Sequence, residues 1–265
     1  MTTVLETEDL RREFGALLAV DDVSVQIDDE EITSIIGPNG AGKTTFYNML
    51  SGTLKPTSGE VRIRPRADAD AERTDGGLVT VTGMEPHDIN QLGLSRAYQI
   101  NNVFDGLTVL ENVRIARISR GDRKFDLRSV AADDDALNEE ARRILELTNL
   151  QDAAHTKCAE LSHGDVRKVE IALALGTDPS VVLLDEPTAG MNATETRRMV
   201  DLIEDLDEQT DTTFVLTEHD MEVVLGISDR ILVLNNGELI ASGSPDEVMA
   251  DETVREAYLG KGENE

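Results

Sequence analysis

Gly37-Pro38-Asn39-Gly40-Ala41-Gly42-Lys43-Thr44-Thr45 stands directly between Glu31–Ile36, which reads as a strand, and Phe46–Leu50, which reads as the start of a helix. The spacing fits G-x-x-x-x-G-K-[ST]. Glycines at these positions let backbone N–H groups curl around a phosphate, and the helix N-terminus adds a partial positive charge. Lys43 would reach the β- and γ-phosphates, and the Thr44 hydroxyl would sit on Mg²⁺. A plain glycine-rich turn explains the glycines but not strand, loop, Lys-Thr and helix in that order. The expected ligand is a nucleoside triphosphate.

Two further groups extend this chemistry. Val181-Val182-Leu183-Leu184 is an all-apolar run that ends in Asp185-Glu186-Pro187. Such a run suits a strand buried on both faces of a mostly parallel sheet, and ligands of open α/β sheets bind at the carboxyl ends of the strands. Asp185 would hold Mg²⁺ through water, and Glu186 would polarise the attacking water as general base. A second apolar run, Thr213–Thr217, leads to Glu218-His219-Asp220 and brings His219 to the γ-phosphate side of the same sheet.

The elements that must carry these groups are also legible. Val23, Val25 and Ile27 alternate with polar residues, as do Val61 and Ile63, which predicts antiparallel strands near the N-terminus. Residues 64–77 read as a polar surface excursion. Leu137, Ala141, Ile144 and Leu145 mark one helical face behind an acidic helix start at Asp133-Asp134-Asp135. Asn235-Asn236-Gly237 between two apolar runs predicts a hairpin. The tail from Lys261 is polar and expected to fray.

Composition narrows the partners. The chain has 265 residues, 53 acids against 25 basic residues and a net charge of −28. Nucleic acid calls for a basic footprint, so it is disfavoured, as is direct adsorption to anionic lipid. Self-repulsion this strong is screened when the Debye length falls to about 3 Å at 1 M salt, which points to a salt-rich, halophile-like cytoplasm. The lone Cys158 cannot close an intrachain disulfide, which suits a reducing cytosol, and it reads as a small side chain rather than a reactive thiol. No secretory signal is expected, and no apolar stretch approaches the roughly 20 residues that span a bilayer.

Taken together, these motifs resemble the ATP-binding subunits of ABC transporters, in order along essentially the whole chain. Leu161-Ser162-His163-Gly164-Asp165 is similar to the family signature, Gln99 to the glutamine that senses Mg²⁺ and the permease, and Ala189-Gly190-Met191-Asn192 to the segment that crosses the dimer interface. Phe14 corresponds to the aromatic that stacks on adenine. The resemblance implies an α/β fold: a P-loop NTPase of ABC ATPase type with an antiparallel β subdomain and a helical signature subdomain. It implies one ATP-binding domain over 1–265, with a RecA-like core at about 1–98 and 176–242, a helical subdomain at about 99–175 and a C-terminal tail at about 243–265.

The implied ligands are ATP and Mg²⁺. Pro38, Asn39, Gly40, Ala41 and Thr45 join the phosphate loop, while Ser162, Gly164 and Asp165 act on the ATP of a partner. Asp165 stands where the family often has glutamine. It either turns inward to cap its own helix or repels the partner's γ-phosphate.

Implied partners are membrane permease subunits, a second ATP-binding subunit in an ATP-sandwich dimer (a heterodimer is the better expectation) and, indirectly, an extracytoplasmic binding protein. The chain would sit peripherally on the cytoplasmic face of the membrane. Leu107–Val113, Val169–Ala172 and Glu256-Ala257-Tyr258-Leu259-Gly260 look closest to the branched-chain amino acid importers. A urea or short-amide importer stays open, as does a soluble ABC ATPase outside transport.

Overall fold

Alternating apolar residues build the first sheet of the computed structural model, which describes residues 2–66, 69, 77–97, 103–120 and 135–259. β1 (Thr3–Phe14) pairs antiparallel with β2 (Leu17–Asp28) and β4 (Ser58–Ile63), and β4 with the short β5 (Val79–Thr80). Val23, Val25, Ile27, Val61 and Ile63 are all buried on its inner face, as the period-two pattern predicts.

The second sheet has six strands in the order β10-β9-β3-β8-β7-β6. These are β3 (Thr33–Ile36), β6 (Leu94–Ala97), β7 (Val181–Asp185), β8 (Thr213–Thr217), β9 (Arg230–Asn235) and β10 (Glu238–Gly243). Neighbours from β9 through β6 run parallel, and β10 closes the edge antiparallel through the expected hairpin. Asn236 and Gly237 supply the positive φ values, 50° and 88°, that a two-residue hairpin turn needs. The strand read as Glu31–Ile36 pairs only from Thr33 onward.

Both faces of the central strands are covered, which is why their sequences are continuously apolar rather than alternating. Val182, Leu184, Phe214 and Leu216 pack into one core, and Val181, Leu183 and Val215 into the other. The first core joins α3 (Val109–Arg120), α4 (Asp135–Leu147), α5 (His163–Gly176) and α6 (Ala193–Gln209). The second joins the antiparallel sheet to α1 (Lys43–Leu50) and α2 (Pro86–Leu92). Leu137, Ala141, Ile144 and Leu145 are the buried face of α4; Asp133 and Asp134 lie outside the described residues. Cys158 is buried beside Asn112, and burial, with the charge of Asp105, pushes its thiol up to about 11.

The segment set apart as a C-terminal tail is not featureless. After α7 (Met221–Ile227) and the hairpin it forms α8 (Pro245–Ala250) and α9 (Glu252–Leu259). Val248 and Val254 of these helices are buried in a third cluster with Ile36, Val224, Ile231 and Val233. Residues from 260 onward lie outside the described set.

Near the C-terminal end of α6, burial and the charges of Asp229 and Glu208 push the Asp207 carboxyl up to about 6. The folded state therefore holds this proton more tightly than the unfolded chain, so its contribution to stability declines as pH rises from about 4 through about 6. Asp207→Asn removes that decline. In thermal melts at fixed salt its gain in Tm should be full above about pH 6 and vanish below about pH 4.

Candidate active site

The phosphate loop joins β3 to α1 between β9 and β8, at the carboxyl ends of the parallel strands. α1 starts at Lys43 with Gly42 at its N-cap in a left-handed conformation (φ 101°) and no side chain capping it. Its first amides are therefore available to an anion. Glycine is required twice for steric reasons. A Cβ at Gly37 would stand 2.2 Å from the Leu234 carbonyl oxygen, and one at Gly42 2.4 Å from that of Ala19. The hairpin turn braces the loop from outside: the Gly237 amide donates to Ala41 O at 2.9 Å, and the Asp21 amide to Gly237 O at 2.8 Å.

Lys43 is folded back on its own loop, its Nζ donating to Gly37 O at 2.5 Å. Burial pulls the ammonium pKa down, against the opposing charges of Glu186 and Asp185. A bound triphosphate offers this cation stronger acceptors than a single carbonyl.

Asp185 closes β7 with both oxygens engaged. Oδ1 accepts from Thr217 Oγ1 at 2.8 Å and Oδ2 from Arg96 Nη2 at 2.7 Å. Arg96 also donates to Asn48 Oδ1 at 2.7 Å and lies 5.4 Å over the Tyr47 ring, so it ties β6 to β7 and α1. The Tyr47 hydroxyl in turn donates to the carbonyls of Leu184 and Val215, bridging β7 and β8 from beneath. Glu186 follows in a left-handed conformation (φ 49°), its amide donating to Thr217 O at 3.0 Å. Its Oε1 lies 2.6 Å from His219 Nε2. Such backbone strain in a non-glycine residue persists only where its surroundings hold it. Buried Glu218 helps to do so, accepting from the Thr188 amide at 2.9 Å and from its hydroxyl at 2.7 Å, across from the loop that follows Glu186.

A cleft of about 630 Å³ gathers Phe14, Asn39–Thr45, Asp185, Glu186, Thr217 and His219. Phe14 lies at its rim, 45% exposed, with the Arg12 guanidinium 4.5 Å from its ring. Thr44 and Asp185 offer only hydroxyl and carboxylate oxygens, and among the described residues no cluster of three or more His, Cys, Asp or Glu side chains could cage a metal. That donor set fits Mg²⁺ arriving with phosphates and water as its other ligands.

The signature residues do not line this cleft. Ser162 caps α5, accepting from the Asp165 amide at 3.2 Å and donating to Asp165 Oδ2 at 2.7 Å, while Lys168 Nζ holds Oδ1 at 3.1 Å. The Asp165 carboxylate thus turns back on Ser162 and Lys168, while the helix cap itself is Ser162. Burial pushes the Asp165 carboxyl up, but the Ser162 hydrogen bond and Lys168 outweigh it and keep it below its ordinary value. Gly164, in the first turn, has open space around its Cα. Gln99 lies outside the described residues.

Arg96, Thr217, Glu218 and Asn236 take part in the site without having been singled out from the sequence. The one hint was Arg96, a charge in the otherwise small or apolar Leu94-Ser95-Arg96-Ala97.

Comparison with known proteins identifies the family. Residues 20–189 match the ABC transporter family, and residues 238–264 match the branched-chain amino acid ATP-binding cassette transporter model. The chain is 38% identical to the high-affinity branched-chain amino acid transport ATP-binding protein LivG of Salmonella typhimurium, over 97% of this chain and 98% of that one. It is 32% identical to a probable LivG of Archaeoglobus fulgidus, over 99% and 97%. Among solved structures it is similar to the ADP conformation of an ATP-binding cassette of an ABC transporter, with a TM-score of 0.82, 31% identity and coverage of 98% and 100%. It is also similar to a dimeric cassette in a post-hydrolysis state bound to ADP and phosphate, with a TM-score of 0.72, 25% identity and coverage of 91% and 98%. Agreement in fold, motif order and near-full-length identity places the chain in the ABC transporter family, among the branched-chain amino acid transport ATP-binding proteins.

Proposed function

We propose that this chain hydrolyses ATP to ADP and phosphate to drive uptake of branched-chain amino acids through a partner permease. The observation that carries the reading is the meeting of Lys43, Asp185 and the Glu186–His219 pair in one cleft. Lys43 leaves Gly37 O for the β- and γ-phosphates, and the open amides at the start of α1 hold the phosphate oxygens. Phe14 stacks on the adenine. Thr44, Gln99 and, through water, Asp185 would hold Mg²⁺, which would supply neutralisation of developing phosphate charge.

Glu186 takes a proton from the attacking water as its oxygen bonds to the γ-phosphorus and the β–γ bridging bond breaks. His219, against Glu186, keeps that carboxylate aimed and contacts the γ-phosphate. Ser162 and Gly164 do not line this cleft, which supports their use on the ATP of a second ATP-binding subunit, the better choice being a different chain. The Lys168 ammonium beside Asp165 then offsets part of its charge toward that phosphate. The pore belongs to permease subunits and the chain sits on their cytoplasmic face, a reading supported by the absence, among the described residues, of a helix long and apolar enough to cross a membrane. The net charge of −28 suits a salt-rich cytoplasm.

Pulldown of the tagged chain from native membranes in high salt tests the assembly. It should recover permease subunits, a second ATP-binding subunit and a binding protein that takes leucine, isoleucine or valine. A binding protein specific for urea or short amides would move the cargo assignment to that class. Recovery with ribosomes or DNA would overturn transport. In purified protein, Lys43→Ala should weaken ATP binding by about tenfold or more, the scale of a lost charge-assisted phosphate contact; unchanged affinity would sink the assignment of the cleft.

A further inference from the structure

β7 and β8 run side by side as far as Asp185 and Thr217, and the last backbone link is the Glu186 amide on Thr217 O at 3.0 Å. Pro187, next along, has no N–H to donate, so the ladder stops there. Beyond it the two chains part, one carrying Glu186 and the other His219. A side chain takes over as the cross-link. Glu218 Oε1 accepts from the Thr188 amide at 2.9 Å and from its hydroxyl at 2.7 Å, while Oε2 accepts from the His219 amide at 3.3 Å. One oxygen thus serves each loop. All three partners are donors, and a carboxylate offers acceptors only. Glu218 is 4% exposed and, among the described residues, is held by these neutral donors rather than by a cation. Burying a carboxylate on such terms is costly. The pair it stands behind is open by contrast, the His219 and Glu186 side chains being 48% and 27% exposed. Side chains this exposed draw little from packing, so their meeting at 2.6 Å depends on where the two loops are set.

We infer that Glu218 is a positioning residue for hydrolysis, which splices the loop carrying the base Glu186 to the loop carrying His219. This rests on the ATPase reading above. Glu218 lines no part of the nucleotide cleft and acts only through the two loops it joins. Without the splice the loops drift apart, and a small displacement of a base from its water slows proton transfer steeply. The loss falls on turnover. The phosphate loop and Phe14 lie on other elements, so nucleotide affinity is spared.

The test compares the full-length chain with Glu218→Gln, Thr188→Val and Thr188→Ser. Each is followed by ATPase kinetics well below its Tm, titration with a fluorescent ADP analogue in Mg²⁺, and thermal melts. Glu218→Gln keeps the size but turns one acceptor into an NH₂ donor, which must face the donors of Thr188 or the His219 amide. Its kcat should fall about ten- to a hundredfold, the scale of a misplaced catalytic group, with Kd within about twofold of the parent. Thr188→Val removes only the hydroxyl contact and should lose less, and Thr188→Ser should recover most of that loss. In a Glu186→Gln background, Glu218→Gln should cost no more than about threefold further, because the base it positions is already gone. A parental kcat in Glu218→Gln, or its full loss repeated in the Glu186→Gln background, overturns the inference. So does a fall in kcat that comes with matching losses of Tm and affinity, which would make Glu218 structural only. If Glu218→Gln does not fold, Thr188→Val against Thr188→Ser decides on the same readings. A parent chain that hydrolyses no ATP defeats the ATPase reading, and this one with it; an active parent with an unaffected Glu218→Gln defeats this one alone.

Discussion

Glu186→Gln should cut ATP turnover by about two to four orders of magnitude while leaving ATP binding intact, because a positioned general base contributes on that scale. The side chain keeps its size, and Gln can still hydrogen-bond His219 Nε2, which lies 2.6 Å from Glu186 Oε1. The left-handed backbone at φ 49° is also retained, since the Thr217 carbonyl holds the amide. Only the capacity to take the proton is lost. ATP should therefore accumulate unhydrolysed, and if two subunits sandwich it, the dimer should persist in size-exclusion chromatography with Mg²⁺-ATP. Turnover within tenfold of the parent would remove Glu186 from the base role.

Arg96→Met carries the other large effect, and on stability as well as binding. The Arg96 and Asp185 side chains are only 7% and 14% exposed, so deleting the guanidinium strands a carboxylate away from water. Removing one partner of a buried pair costs about 3–5 kcal/mol. At this chain length that amounts to a fall of roughly 10 °C in Tm. Asp185 would also lose the contact that orients Oδ2, so the Mg²⁺ concentration needed for half-maximal nucleotide binding should rise. Arg96→Lys should recover part of the stability, since one ammonium cannot serve Asp185 and Asn48 as the fork does. In Arg96→Met/Asp185→Asn the stability loss should be much smaller than the sum of the two single losses. An additive result would mean that the two residues are not energetically coupled.

Much of this protein could be read from local order in the chain. The loop from Gly37 to Thr45 is a short-range device: its glycines, Lys43 and Thr44 act within one strand–loop–helix unit, so spacing alone announces the chemistry. The strand Thr213–Thr217 and the hairpin at Asn236-Gly237 were visible for the same reason, since burial on both faces and positive φ each leave a compositional mark.

Tertiary structure alone decided what crosses the chain. Arg96 meets Asp185 across 89 positions, and Thr188 meets Glu218 across 30. No periodicity encodes such pairings, because they depend on which strands end side by side. The helices after residue 243 likewise looked like a tail, since two short segments earn their order only by packing on Ile36 and Ile231. The sequence by itself determined the nucleotide chemistry and the strands that deliver it. Which buried ions lock those strands together, and that the last helix shares a core with Ile36, followed only from folding, where distant residues share one core and low-polarity surroundings make each unpaired charge costly.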